Sequence, residues 1–111
     1  MARARRQSIP EDIQKQADAI VDTFNRSVIR DPNRYYCTRY RGHYLYLDHF
    51  DYGMVKARCR LKYTGGMDTW EFAIYKYSDE RYDPEEWMFP GAGYIDGTIG
   101  GAMKAALEAY P

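Results

Sequence analysis

The amino-acid sequence predicts an α+β domain, a two-layer sandwich. An N-terminal and a C-terminal helix are expected on one face of a four-stranded antiparallel sheet built from two hairpins. An apolar stripe at helical spacing opens the chain, period-two runs broken by glycine fill residues 34–78, and a second helical stripe closes it. A length of 111 residues fits one domain. Residues 1–7 read as a disordered basic arm with Arg3, Arg5 and Arg6, and residues 8–111 as that domain.

Ser8 and Glu11 have the spacing of a capping box, with Pro10 in the first turn where its missing N–H costs little. Ile13, Ala17, Ile20, Phe24 and Val28 then line one helix face, and Asp31-Pro32-Asn33 ends the helix. Runs at 35–40 and 43–48 flank Arg41-Gly42, a tight turn. In this hairpin Tyr36, Thr38, Leu45 and Leu47 face inward, and Cys37, Arg39, Tyr44 and Tyr46 outward. Residues 50–54 form a looser connection to a second hairpin, whose strands at 55–63 and 68–77 flank Gly65-Gly66.

With Gly65-Gly66 as the turn, Leu61 faces Trp70, Cys59 faces Phe72 and Ala57 faces Ile74, all apolar and on one side. The other side pairs Lys62 with Thr69, Arg60 with Glu71, Arg58 with Ala73 and Lys56 with Tyr75. Asp83-Pro84-Glu85-Glu86 carries the signals of a short helix that Pro90 stops, with Trp87, Met88 and Phe89 anchoring it to the core. The last helix starts near Asp96 or Thr98. Ile99, Met103, Ala106 and Tyr110 form its apolar stripe, and Gly101, Ala105 and Ala109 a narrow stripe suited to close packing.

The strand end Arg60-Leu61-Lys62-Tyr63-Thr64-Gly65, the strand Trp70-Glu71-Phe72-Ala73-Ile74-Tyr75 and the helix over 97–110 together resemble a group of small bacterial proteins of unknown function. The likeness covers roughly the last seventy residues. It rests on packing patterns, so it implies a compact prokaryotic domain and transfers no functional residue.

Several chemistries lack their residues. No stretch approaches the roughly 20 apolar residues of a membrane span. The basic start is followed by Gln7, Ser8, Pro10, Glu11 and Asp12 instead of the apolar core of a secretory signal. Two cysteines make no disulfide framework, so a cytoplasmic location is expected. Cys37, His43, His49 and Cys59 lack the close pairing of zinc ligands. Gly91-Ala92-Gly93 lacks the dinucleotide-binding spacing, and Asp96 would repel a phosphate at the following helix. The expectation is a non-enzymatic binding domain without cofactor or metal.

What remains is a cationic, phenolic sheet face. Lys56, Arg58, Arg60 and Lys62 alternate along one strand and so are expected to point the same way, together with Tyr75 and Tyr77 and with Arg39, Tyr44 and Tyr46. Nine of the 12 tyrosines fall between residues 34 and 77. Rings that stack bases and cations that meet phosphates suit single-stranded nucleic acid. The same composition suits a protein partner or a homodimer. Residues 1–62 carry 13 Lys and Arg against 7 Asp and Glu, and residues 63–111 carry 3 against 9. In a dimer the acidic group Asp79, Glu80, Asp83, Glu85 and Glu86 would meet the basic face. No membrane partner is expected.

Overall fold

The computed structural model describes residues 8–111 and contains a five-stranded antiparallel meander of order β1-β2-β3-β4-β5, one strand more than expected. Its strands are β1 (Arg34–Arg41), β2 (Tyr44–Asp51), β3 (Met54–Lys62), β4 (Glu71–Lys76) and β5 (Arg81–Asp83). Helix α1 (Glu11–Phe24) precedes the sheet and α2 (Ile99–Ala109) follows it. The arm expected over residues 1–7 lies outside the described residues.

Helix α1 starts later than the capping box implies. Pro10 occupies the N-cap position, and no side chain among the described residues caps the helix. Gln14 instead holds the entry, its amide nitrogen donating to the Ile9 carbonyl at 3.0 Å. Ala17, Val21 and Phe24 form the buried stripe, while Ile20 turns outward. After Phe24 the helix widens into a π-turn (Asn25–Ile29), which changes its phase and leaves Val28 exposed. The turn also sets Asn25 against β1. The Asn25 side chain accepts from the Tyr36 N–H at 2.8 Å and donates to the Tyr36 carbonyl at 3.0 Å.

The first hairpin has the expected facing: Tyr36 pairs with His49, Thr38 with Leu47 and Tyr40 with Leu45 on the helix side. Its turn falls at Gly42-His43. The connection between the hairpins is tight instead of loose. Tyr52 and Gly53 both take positive φ (48° and 89°), the two-residue turn whose twist matches the flanking strands.

The second hairpin differs in register. Leu61 pairs with Phe72, Cys59 with Ile74, Arg60 with Ala73 and Lys62 with Glu71. Each partner lies two residues beyond the one expected from a Gly65-Gly66 turn, so these four residues of β3 and their partners keep their faces. Residues 63–70 form a longer loop. It is held by the Thr64 hydroxyl on the Thr69 carbonyl (2.6 Å), by Tyr63 packed on Trp70 (5.0 Å between rings), and by the Trp70 N–H on the Gly97 carbonyl (2.9 Å). The expected Arg60–Glu71 cross-strand pair is therefore absent, and Glu71 faces Lys62 instead.

No helix forms over 83–89, because the carboxylates that would start one make turns. Asp83 Oδ1 accepts from the Glu85 N–H and Glu86 Oε2 from the Met88 N–H, both at 2.9 Å. Residues 81–83 instead pair with β4 as β5. Trp87 and Met88 are exposed, so of the three expected anchors only Phe89 reaches the core, stacked on Phe72 at 6.0 Å.

Both helices pack on one sheet face. Ala17, Val21 and Phe24 of α1 and Ile99, Ala102, Met103, Ala105 and Ala106 of α2 share one core with Tyr36, Leu45, Leu47, Cys59, Leu61, Phe72 and Ile74. Thr98 caps α2, its hydroxyl accepting from the Gly101 N–H at 3.0 Å. No described helix is long and apolar enough to cross a membrane.

Candidate nucleic-acid interface on the outer sheet face

The side of the sheet away from α1 and α2 carries a connected row of rings. Tyr44 packs on Tyr46 (6.2 Å between centroids), Tyr46 on Tyr82 (5.3 Å), Tyr82 on Tyr75 (4.9 Å) and Tyr75 on Tyr77 (4.9 Å). The first four come from β2, β4 and β5, brought together because β2–β3 and β3–β4 keep the same parity near Arg60. Burial, helped by the Asp48 carboxylate, pushes the Tyr82 phenol up to about 12. It therefore stays a hydroxyl donor at neutral pH.

Arginines lie over these rings. Arg60 sits 4.4 Å from the Tyr44 centroid and 5.4 Å from Tyr82, and Arg39 sits 4.3 Å from Tyr46. Arg39 also forms an ion pair with Asp48 at 3.2 Å. Arg60, Arg41 and Lys62 make no ion pair among the described residues. These three cluster at the sheet end formed by the β1–β2 turn and the end of β3, where Arg41 pairs with Tyr44 and Tyr44 with Lys62. A groove of about 180 Å³ opens there between Tyr44, Arg60, Lys62, Glu71 and Pro84. The same end receives the N-terminal segment, since the Ile9 N–H donates to the Gly42 carbonyl at 3.1 Å.

Two expected members point elsewhere, and a β-bulge is the reason. β2 pairs Leu47 with Cys59 but Asp48 with Ala57, leaving Arg58 as an extra residue without a partner. Parity along β3 reverses at that point. Ala57 and Val55 move to the outer face, and Lys56 moves to the helix side opposite His49, where it meets Asp51 at 3.4 Å. Arg58 is buried at 6% exposure, with its guanidinium 4.7 Å from the Tyr110 ring and Nη1 donating to the Tyr77 hydroxyl at 3.0 Å. The expectation that Lys56, Arg58, Arg60 and Lys62 share one face is thus corrected: only Arg60 and Lys62 do. Tyr77 stands at the boundary, its hydroxyl donating to the Ala57 carbonyl at 2.6 Å and its ring against Tyr110.

The structure adds Arg41 and Tyr82 to this face. Tyr82 escaped notice because a three-residue strand has too few positions to display a period. The other end of the face is apolar. Tyr35 stacks on Phe50 at 4.7 Å, and Phe50 pairs with the exposed Val55, with exposed Tyr52 in the adjoining turn.

Cys37 lies on the outer face and Cys59 in the core, so the two thiols are separated by the sheet. Among the described residues no three His, Cys, Asp or Glu side chains gather as a metal site. A larger groove, about 510 Å³, borders the π-turn between Asp22, Arg26, Arg30 and Asp31. Arg26 and Asp22 neutralise each other there at 2.9 Å. The acidic group after β4 is largely turned on Lys76, whose ammonium lies 3.0 Å from Glu86, 3.7 Å from Asp83 and 3.8 Å from Asp79.

The chain was compared with family models, curated proteins and solved structures, and none of them matches it.

Proposed function

We propose that this domain binds single-stranded nucleic acid along the outer face of its sheet. The observation that carries the reading is that neither helix covers this face, which leaves the Tyr44–Tyr46–Tyr82–Tyr75 row beside Arg41, Arg60 and Lys62 open to a ligand. Bases would stack on the rings, at about 1–3 kcal/mol each, and phosphates would run past the three cations. The groove beside Arg60 supports the reading. Arg39 contributes less, because Asp48 already neutralises it.

Fluorescence anisotropy with a labelled oligothymidylate tests this. Three phosphate contacts imply a slope of log K against log salt near about −2, from roughly −0.7 per contact on single strands. The Arg60→Glu/Lys62→Glu double variant should lose at least roughly tenfold in affinity, since each reversed charge removes a contact and adds a repulsion. No binding at micromolar protein in low salt, or binding indifferent to both substitutions, would end the proposal.

A second reading, a protein partner or a second copy on the same face, has its own support in the apolar end made by Tyr35, Phe50 and Val55 beside the exposed turn residue Tyr52. The acidic segment supports it less, because Lys76 already engages three of its carboxylates. Light scattering over a dilution series separates the two. A dimer that Val55→Asp dissociates favours this reading, and a monomer at every concentration disfavours self-association.

A further inference from the structure

On the opposite side of the sheet, the bulge that turns Arg58 inward creates a polar cluster in the interior. Arg58, His49 and Tyr36 are 6%, 1% and 2% exposed. Tyr36 and His49 are register partners with rings 4.9 Å apart, and Arg58 leaves β3 beside them at the bulge. Four polar atoms of these residues have no hydrogen-bond partner among the described residues: the Tyr36 hydroxyl, both His49 ring nitrogens and Arg58 Nε. No carboxylate oxygen lies within 4.0 Å of the Arg58 guanidinium among the described residues.

Such a group of orphans is unusual, because buried polar atoms are nearly always paired and a buried charge without a counter-charge is costly. The local charge is also one-sided. Arg34 and Lys56 flank the cluster, and Asp51 is their shared counter-ion, at 3.3 and 3.4 Å. Three cations thus face one carboxylate around an imidazole and a phenol. The missing complement is negative, small and rich in acceptor lone pairs.

We propose that Arg58, His49 and Tyr36 form a binding site for a small oxyanion, of the phosphate or carboxylate type. The Arg58 Nε–H, the Tyr36 hydroxyl and one His49 N–H supply three donors, and the oxyanion supplies the charge that Arg58 lacks. Tyr77 and Tyr110 close the site from the solvent side. Tyr110 covers the guanidinium face and Tyr77 bonds its Nη1, so movement of these two half-exposed rings opens the way in. The site is independent of the outer face and stands or falls apart from the nucleic-acid reading.

The test uses the whole chain with inorganic phosphate and, in a second arm, acetate, each against sodium chloride at equal ionic strength. At ten times the dissociation constant, binding should raise the wild-type Tm by roughly 5–10 °C. Arg58→Met should abolish that rise while leaving oligonucleotide affinity within roughly twofold. Phosphate should also shift the His49 ring-nitrogen resonances of the wild-type protein, a readout that needs no variant. A response to acetate alone identifies the ligand as a carboxylate and still supports an oxyanion site. Two results overturn the proposal: a Tm rise that persists in Arg58→Met, which assigns the anion to the surface, or His49 resonances unmoved by either anion at tens of millimolar.

Discussion

The Arg60 guanidinium lies over Tyr44, 4.4 Å from the ring centroid, with no ion pair to a carboxylate among the described residues. The pair joins β3 to β2 across the outer face, and the same guanidinium reaches Tyr82 on β5. One cation therefore bridges rings from two strands, β2 and β5, at about 0.5–1 kcal/mol per exposed contact. This separates Arg60 from Arg39, whose stacking on Tyr46 comes with an ion pair to Asp48.

Gly97 links the long loop to α2. Its carbonyl accepts the Trp70 N–H at 2.9 Å, and its φ of 87° lies in the left-handed region. A Cβ there would run into the Asp68 carbonyl. Gly97→Ala should therefore destabilise the domain by at least about 1–3 kcal/mol, from strain added to a backbone clash. Urea denaturation measures it, and an unchanged midpoint would contradict the packing described here.

His49 predicts an acid sensitivity. Burial lowers its pKa below the ordinary 6.5, and Arg58, Arg34 and Lys56 add to the effect while Asp51 opposes it. The unfolded chain then binds a proton more readily than the native one. Stability is intact above about pH 6.5 and declines as pH falls through that value toward the lower folded pKa. His49→Leu should remove this part of the slope. Midpoints between pH 7.5 and 5 in both proteins test it, and parallel slopes would count against a buried neutral imidazole.

The loop after β5 predicts a contrast between neighbours. Met88 is 90% exposed, whereas Phe89 stacks on Phe72. Met88→Ser should change stability by less than about 0.5 kcal/mol, and Phe89→Ala should cost about 1–2 kcal/mol. Equal effects in thermal unfolding would place Met88 in the core instead.

The sequence makes the α+β class, the positions of the first and last helices and the facing of the first hairpin legible, because each rests on a period repeated over several turns or strand positions. From Cys59 to Lys62 the second hairpin keeps its faces through a two-residue change of register, since parity survives any even shift. Arg58 is where sequence reasoning fails. Val55, Ala57, Cys59 and Leu61 alternate without interruption, so β3 reads as one regular strand. The bulge lies in the pairing with β2, not in the composition of β3, and it turns Lys56 and Arg58 away from the face that simple alternation assigns them. The segment 83–89 fails for a different reason: the carboxylates that favour a helix start also close turns, and Lys76 and β4 draw them to the second use.

Chemical-shift mapping of the tyrosine rings and arginine side chains during titration with an oligothymidylate reports most directly on which side of the sheet engages a ligand. The outer-face account predicts that Tyr44, Tyr46, Tyr75, Tyr82 and Arg60 move together, with Tyr36 and the α1 and α2 resonances still. Shifts confined to the helices, or none at saturating oligonucleotide, would contradict it.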